Sequence, residues 1–429
     1  MQIGPLTYLL LMLVPLVATP AASTAAELQL VSDTILRGFE RDLGRGGKVS
    51  PVPAYQYLQV DYGSLTTPGI SFHGNGWGRM NLGDDAGDGK GELLSAFLQY
   101  LPPGRDYQLR AGRQYIFEGV ARDSLDGVYA KGFLLPTLSM AAYLGSPTVL
   151  DSEGEDRGSD FIYGGKITQS RSGLYDLGIS YRHLTNNSER DEESLGSDLA
   201  LLLPGKVSLL GHSAYNLVTD GWGEHSYELR LPLGDFTLSP FYQRYRYQDF
   251  FNSRSNSANP FRFLQGTGNT LTVFGTEAFW YPVEQAEFAL RVKNYDYDKR
   301  FGSSQFYTLA AAWRWRIFSE IGGELGRMQG HEAVNKYLLG RGYCYWNLSR
   351  GFLSGDVMHV RYDRAIYAQK SSWFVSLGGG TRFMDDALTL RLSFDYSSDP
   401  YFNRDVRALL RVSYLLDKNP GRSSPGSLL

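Results

Sequence analysis

Along most of the chain, apolar and polar residues alternate one by one over stretches of roughly ten residues, the length of a tilted membrane strand. In the segment QFYTLAAAWRWRIF, one set of alternate positions is Tyr307, Leu309, Ala311, Trp313, Trp315 and Ile317. The other is Phe306, Thr308, Ala310, Ala312, Arg314 and Arg316. Helical spacing would put Trp313 and Arg316 on one face. A strand separates them, because successive side chains point to opposite sides of a sheet. The same period recurs in LYDLGISYRH, HSYELRLPL, AEFALRVKNY, LTLRLSFDYS and VRALLRVSYLL.

Such segments divided by turn residues predict an all-β chain, a transmembrane antiparallel β-barrel with its apolar set toward lipid and its polar set toward a watery lumen. Closure of the sheet would pair every backbone group, as a bilayer requires. Aromatics near strand ends (Trp280, Tyr281, Trp313, Trp315, Tyr396, Tyr414) fit interfacial girdles. A soluble β-sandwich would bury the apolar set instead. The connections read as alternately short (PPGRD, LLPT, SRSG, LPGK, PLGD, PVEQ, FMDD) and long (GDDAGDGKG, SPTVLDSEGEDRGSD, TNNSERDEESLG, YDYDKRFGSSQ and the run Gln248 to Asn269). This predicts short periplasmic turns and long extracellular loops. Counting strands from Asp33–Leu43 to the segment ending near Leu416 gives about 22, an even number as bacterial barrels require, with 18 and 20 left open.

Composition narrows the picture. The chain has 429 residues, 49 of them Gly and 29 Tyr, which favours strands and turns over helices. Its 42 basic and 45 acidic residues give no excess that would draw nucleic acid. Residues 1–26, an apolar run followed by small residues, read as a secretory signal with cleavage near Ala26, although no Lys or Arg precedes the run. The barrel is expected over 27–416, and 417–429 reads as a polar tail. The expected location is the cell outer membrane, with outer-membrane lipid and lipopolysaccharide as partners and a homo-oligomer left open. One cysteine, Cys344, excludes an internal disulfide.

Parity assigns Arg110, Arg182, Arg230, Arg244, Arg246, Arg291, Lys293, Arg314, Arg316, Arg361, Arg391, Arg407 and Arg411 to the pore lining. Asp61, Asp176, Glu228, Glu287, Asp363 and Asp395 share that face. A basic lining would favour anions. The competing reading is that these charges pair across strands and stiffen the wall. Acidic clusters at Asp84, Asp85 and Asp88, at Asp151 to Asp160, and at Glu189 to Glu193 read as solvated loops rather than cation sites, since none has EF-hand spacing.

Six histidines form no H-E-x-x-H pair, there is no phosphate loop, and no cofactor is implied. His359 shares a face with Arg361 and Asp363 but no serine is placed with it; an outer-membrane hydrolase stays open because a triad can be assembled from distant strands. The glycines of GNGWG, Gly74 to Gly78, read as a place of tight curvature.

The segment LRAGRQYIFEGVARDSLDGVYA (Leu109 to Ala130), with LQVDYGSL and GWGRMNLGDD, resembles alginate-export-like porins and the porin-like channels of metal-reducing deltaproteobacteria. Arg110 and Gln114 match that motif on the lumen parity. Arg113 has the opposite parity, which implies a bulge or a strand end. The resemblance implies a channel for small hydrophilic solutes or ions. Its alternative is a barrel that sheathes a multihaem cytochrome. Nothing in the sequence reads as a plug, and only the loop from Gln248 to Asn269 is a candidate for narrowing the pore.

Overall fold

The computed structural model describes residues 28–42, 48–82, 89–148, 160–186, 189–250, 270–297, 302–402 and 404–417. The signal, the tail beyond Asp417, the first two acidic clusters apart from Asp160, and residues 251–269 of the candidate constricting loop lie outside them.

The strands are β1 (Leu28–Asp42), a two-residue stub β2 (Lys48–Val49), β3 (Pro53–Tyr62), β4 (Gly69–Asn81), β5 (Lys90–Leu101), β6 (Tyr107–Glu118), β7 (Ala121–Leu135) and β8 (Leu138–Pro147). Next come β9 (Ile162–Arg171), β10 (Tyr175–Asn186), β11 (Glu189–Leu203), β12 (Val207–Asn216), β13 (Gly221–Leu233), β14 (Phe236–Arg246), β15 (Thr270–Val283) and β16 (Ala286–Tyr297). The last are β17 (Ser303–Arg316), β18 (Ser319–Gln329), β19 (Tyr337–Leu348), β20 (Gly351–Ile366), β21 (Gln369–Phe383), β22 (Leu388–Ser398) and β23 (Asp405–Asp417).

Each long strand pairs antiparallel with its neighbour in sequence. The ring closes because β1 pairs on one side with β3 and on the other with β23, from Gln29 opposite Asp417 to Arg41 opposite Asp405. Leaving out the stub, this is a closed barrel of 22 strands. Both described ends of the chain lie at one rim, called here the terminal rim, and the other is the distal rim.

The outward face carries exposed Leu290, Leu309, Ile321, Leu325, Leu377 and Leu392. A soluble fold would not leave such a belt in water. Aromatics ring the terminal rim: Phe236 stacks on Trp280, which in turn meets Phe288, with Trp313 and Trp315 on the same outward side. The expected girdle is therefore present around the WRWR segment, although Tyr281 points inward beside Phe279.

The alternation of short and long connections holds only at the terminal rim. At the distal rim, β6–β7 and β20–β21 are joined by two residues each, at 119–120 and 367–368. The expected loop TNNSERDEESLG is mostly strand: β10 and β11 stay paired out to Asn186 opposite Glu189. Polarity alone does not mark a loop here, because a lumen-facing strand is as polar as a loop.

One part of the wall leaves the cylinder. β6 pairs with β5 only from Leu109 to Arg113, yet stays paired with β7 to its tip. Gly112 on β6, Gly127 on β7 and Gly145 on β8 stand directly opposite one another. A Cβ at Gly112, which has φ +125°, would overlap the carbonyl of Ala96, and a Cβ at Gly127 would overlap that of Leu144. This row lets the sheet fold sharply inward.

Candidate functional site

Beyond the glycine row, the β6–β7 hairpin lies inside the barrel. Its tip reaches β10 and β11, several strands away round the wall. Val120 N–H donates to Ser180 Oγ at 3.0 Å. Gly119 sits so close to Ser180 that a Cβ there would overlap it, and Val120 Cγ1 fills the space beside Gly196. Ile116, Ala121, Leu125, Tyr129, Ala141, Tyr143, Ile162 and Leu184 form a small apolar core between hairpin and wall. Ile116 is 2% exposed and Leu125 0%, so the lumen side of this sector is packed like a protein interior rather than wetted.

Charge fixes the tip. Arg182 Nε and Nη2 each donate to Asp123 at 2.7 Å, and Nη1 donates to Glu192 at 2.6 Å. Beside it, Asp198 takes Lys166 at 2.7 Å and His212 at 2.7 Å. Glu118 at the tip accepts from Tyr129 Oη at 2.7 Å and Lys131 Nζ at 3.0 Å. The helical turn Tyr247–Phe250 adds to the filling, with Asp249 O accepting from Asn216 Nδ2 at 2.9 Å.

Most of the basic residues expected in the lumen do face it. Arg110 donates to Gln99 at 3.1 Å and lies over the rings of Phe97 and Tyr129. Gln114 is fully buried under the hairpin and donates to Gly127 O at 3.3 Å, so it lines packing rather than a pore. Arg291 and Lys293 share Glu277, and Arg314 bridges Glu287 at 2.6 Å and Glu320 at 2.8 Å. Arg407 meets Asp405 at 3.1 Å, and Arg411 meets Asp33 at 2.7 Å. Pairing across neighbouring strands, and within β23 for Arg407, thus accounts for many of these charges. Arg230 lies inward next to Glu228, and Arg316 ends β17 at the terminal rim.

Four assignments are corrected. Arg244 stands opposite His225 on the outward face of β13–β14, and Arg246 shares its parity before reaching Asp249 at 3.0 Å. The run FYQRYRY has aromatics in both sets, so parity within it was ambiguous; pairing of Glu228 with Phe241 and of Glu224 with Tyr245 decides it. Arg361 is also outward, opposite Leu338, and Asp363 with it, bonded to Arg327 at 2.6 Å. The lumen face of β20 is instead Asp356, Met358 and Val360. His359 stacks outward on Trp373 at 4.1 Å, so His359, Arg361 and Asp363 do share a face, but it is the outward one and not the lumen.

Arg113 is not at a bulge. The β6–β7 register runs unbroken past it, and it faces Asp126 directly, donating at 2.8 and 2.7 Å. Its Nη1 donates to Leu93 O at 3.0 Å, a carbonyl that β6 has left behind. The acidic run of β11 is similarly engaged, with Glu192 on Arg182 and Glu193 accepting from Tyr181 Oη at 2.6 Å.

Sequence parity missed several lumen charges because their segments lack clean alternation. Arg341 pairs with Asp356 across β19–β20. Arg382 lies on β21 two residues beyond Gly380, which opposes Arg391 on β22, which opposes Arg411 on β23. These three arginines make a row on adjacent strands. Arg391 lies over the Phe352 ring at 5.4 Å, and its buried Nε has no acceptor among the described residues.

Compared with known proteins, the chain matches no family model and no curated protein by sequence. In fold it is similar to the translocation pore of the P pilus usher PapC, with a TM-score of 0.50 at 10% identity, over 90% of this chain and 99% of that one. It is also similar to the outer membrane protein opdK of Pseudomonas aeruginosa (TM-score 0.44, 12% identity, 91% and 98% covered). OccAB2 of Acinetobacter baumannii gives 0.45 at 11% identity, over 91% and 98%. At these identities the likeness is one of fold, that of an outer-membrane β-barrel.

Proposed function

We propose that the protein is an outer-membrane channel for passive passage of small hydrophilic solutes, with a preference for anions. The observation that carries this reading is the row Arg382–Arg391–Arg411 on the lumen face of three neighbouring strands. A guanidinium there with no carboxylate partner among the described residues, such as Arg391, presents net positive field to the water beside it. On the other side of the lumen the hairpin sector is packed and its charges are compensated. The route for solute therefore runs along the β19–β23 wall and not down the barrel axis. A protein guest inside the barrel would have to displace the hairpin, so the channel is preferred to the cytochrome sheath.

The test is conductance of the purified protein in a planar bilayer under a salt gradient. Stable steps with an anion-selective reversal potential are expected. Cation selectivity would overturn the preference, and an electrically silent barrel would overturn the channel.

A further inference from the structure

We propose that the barrel also has a lateral opening between β5 and β6, and that it admits a single-chain acyl amphiphile from the bilayer to the lumen side of the wall. The proposal goes beyond the solute channel and rests on the reading of the chain as an outer-membrane barrel.

Three observations meet at this place. First, where β6 turns inward after Arg113, Gly91–Ser95 of β5 have no neighbouring strand on that side among the described residues. Five residues of strand edge span roughly 16 Å. An open edge is what a closed barrel exists to avoid, so the interruption is a built feature and not an accident of register.

Second, the outer surface below the interruption is a concave apolar groove. Ile70, Leu98, Leu109, Val128 and Leu144 line it on adjacent strands, all substantially exposed. Leu144 is six residues past the start of β8, so at about 3.3 Å per residue and a tilt of about 45° it lies roughly 14 Å in from the terminal rim, within hydrocarbon depth. Its natural occupant is therefore an acyl chain.

Third, one face of β6 runs unbroken from that groove into the barrel. Leu109 and Ala111 face the bilayer. Arg113 follows at the bend, then Tyr115 and Phe117 on the part of the hairpin that lies inside, 53% and 71% exposed. The Arg113–Asp126 pair sits on the outward side of the wall, only six residues from the start of β6. Charged groups at such depth face protein or water-filled space rather than lipid. Here they mark the rim of the opening, where a polar head could be passed over while its tail follows the aromatic stripe.

The test uses the full-length protein in outer-membrane vesicles with a photo-crosslinking residue at single positions and alkynyl hexadecanoic acid as the probe. Leu109 and Leu309 are outward positions that bulk lipid reaches, and Glu228 is a lumen control. Capture is expected at Leu109, Tyr115 and Phe117 and not at Glu228. A Trp at Ala111, which fills the groove without touching the lumen, is expected to abolish capture at Tyr115 and Phe117. Capture confined to Leu109 and Leu309 overturns the proposal, as does capture at Phe117 that Ala111→Trp leaves unchanged. Conductance of the same preparation reports on the channel separately, and loss of capture at both Leu109 and Leu309 would instead bring down the membrane reading itself.

Discussion

Arg182 and Asp123 stand three strands apart round the barrel, yet two guanidinium nitrogens of the one donate to both carboxylate oxygens of the other at 2.7 Å. This geometry exists only because β7 leaves the wall and lays its tip on β10. The pair is shielded from water, and Glu192 completes it. Replacing Arg182 by Met leaves two carboxylates without their cation. Breaking a buried pair in this way costs about 3 kcal/mol or more. We expect R182M to lower the temperature at which the folded band is lost on electrophoresis and to raise single-channel conductance as the hairpin frees the lumen. Unchanged conductance would mean that the hairpin does not limit the pore.

The apolar half of the same contact is tested by Ile116. Its side chain is buried among Leu125, Ile162 and Leu184. Ile116→Ala removes volume that the sector is not free to refill, at a cost of about 2–5 kcal/mol. Because this core joins hairpin to wall rather than strand to strand, the expected result is faster protease cleavage at the hairpin with the rest of the barrel still resistant.

Gly112 is the bend itself. Valine there would place a Cβ on the carbonyl of Ala96 at a φ that β-branched residues avoid. Strain of about 1–3 kcal/mol is expected. Gly112→Val should shift the hairpin toward the wall, read as loss of crosslinking between cysteines introduced at Val120 and Gly196, which touch in the native fold.

At the closing seam, Asp33 accepts from Arg411 and Ser413. The pair is partly exposed, so Asp33→Asn is expected to cost about 1 kcal/mol, seen as a lower urea midpoint, with strand number and conductance unchanged.

Selectivity is tested at Arg391. The Arg391→Gln variant keeps a polar side chain on the lumen face but removes the guanidinium that lies over Phe352, and with it the charge. The reversal potential is expected to move toward cations, and further when combined with Arg382→Gln. The same change at Arg314, whose charge is held between two carboxylates, should also move it toward cations, because Glu287 and Glu320 are then left unbalanced.

The barrel was legible in the sequence because its cause is local. A period of two, wet on one side and greasy on the other, is written residue by residue, and closure in a bilayer then follows from the need to pair every backbone group. The strand before Ala54 and the even count near 22 came from the same logic. The girdle around Trp313 and Trp315 did too. What the sequence left undecided depends on which strands meet. Parity failed for Arg244, Arg246 and Arg361 where both alternate sets carried aromatics or charges, since only pairing with a neighbouring strand says which set faces in. It also placed Gln114 in a pore when that residue lies in a packed core. The inward hairpin was the largest omission. Gly112, Gly127 and Gly145 are far apart in the chain and ordinary one at a time. They become a hinge only when the sheet sets them side by side, and the contacts that reward the bend, such as Arg182 to Asp123, cross the lumen between strands that no local pattern relates.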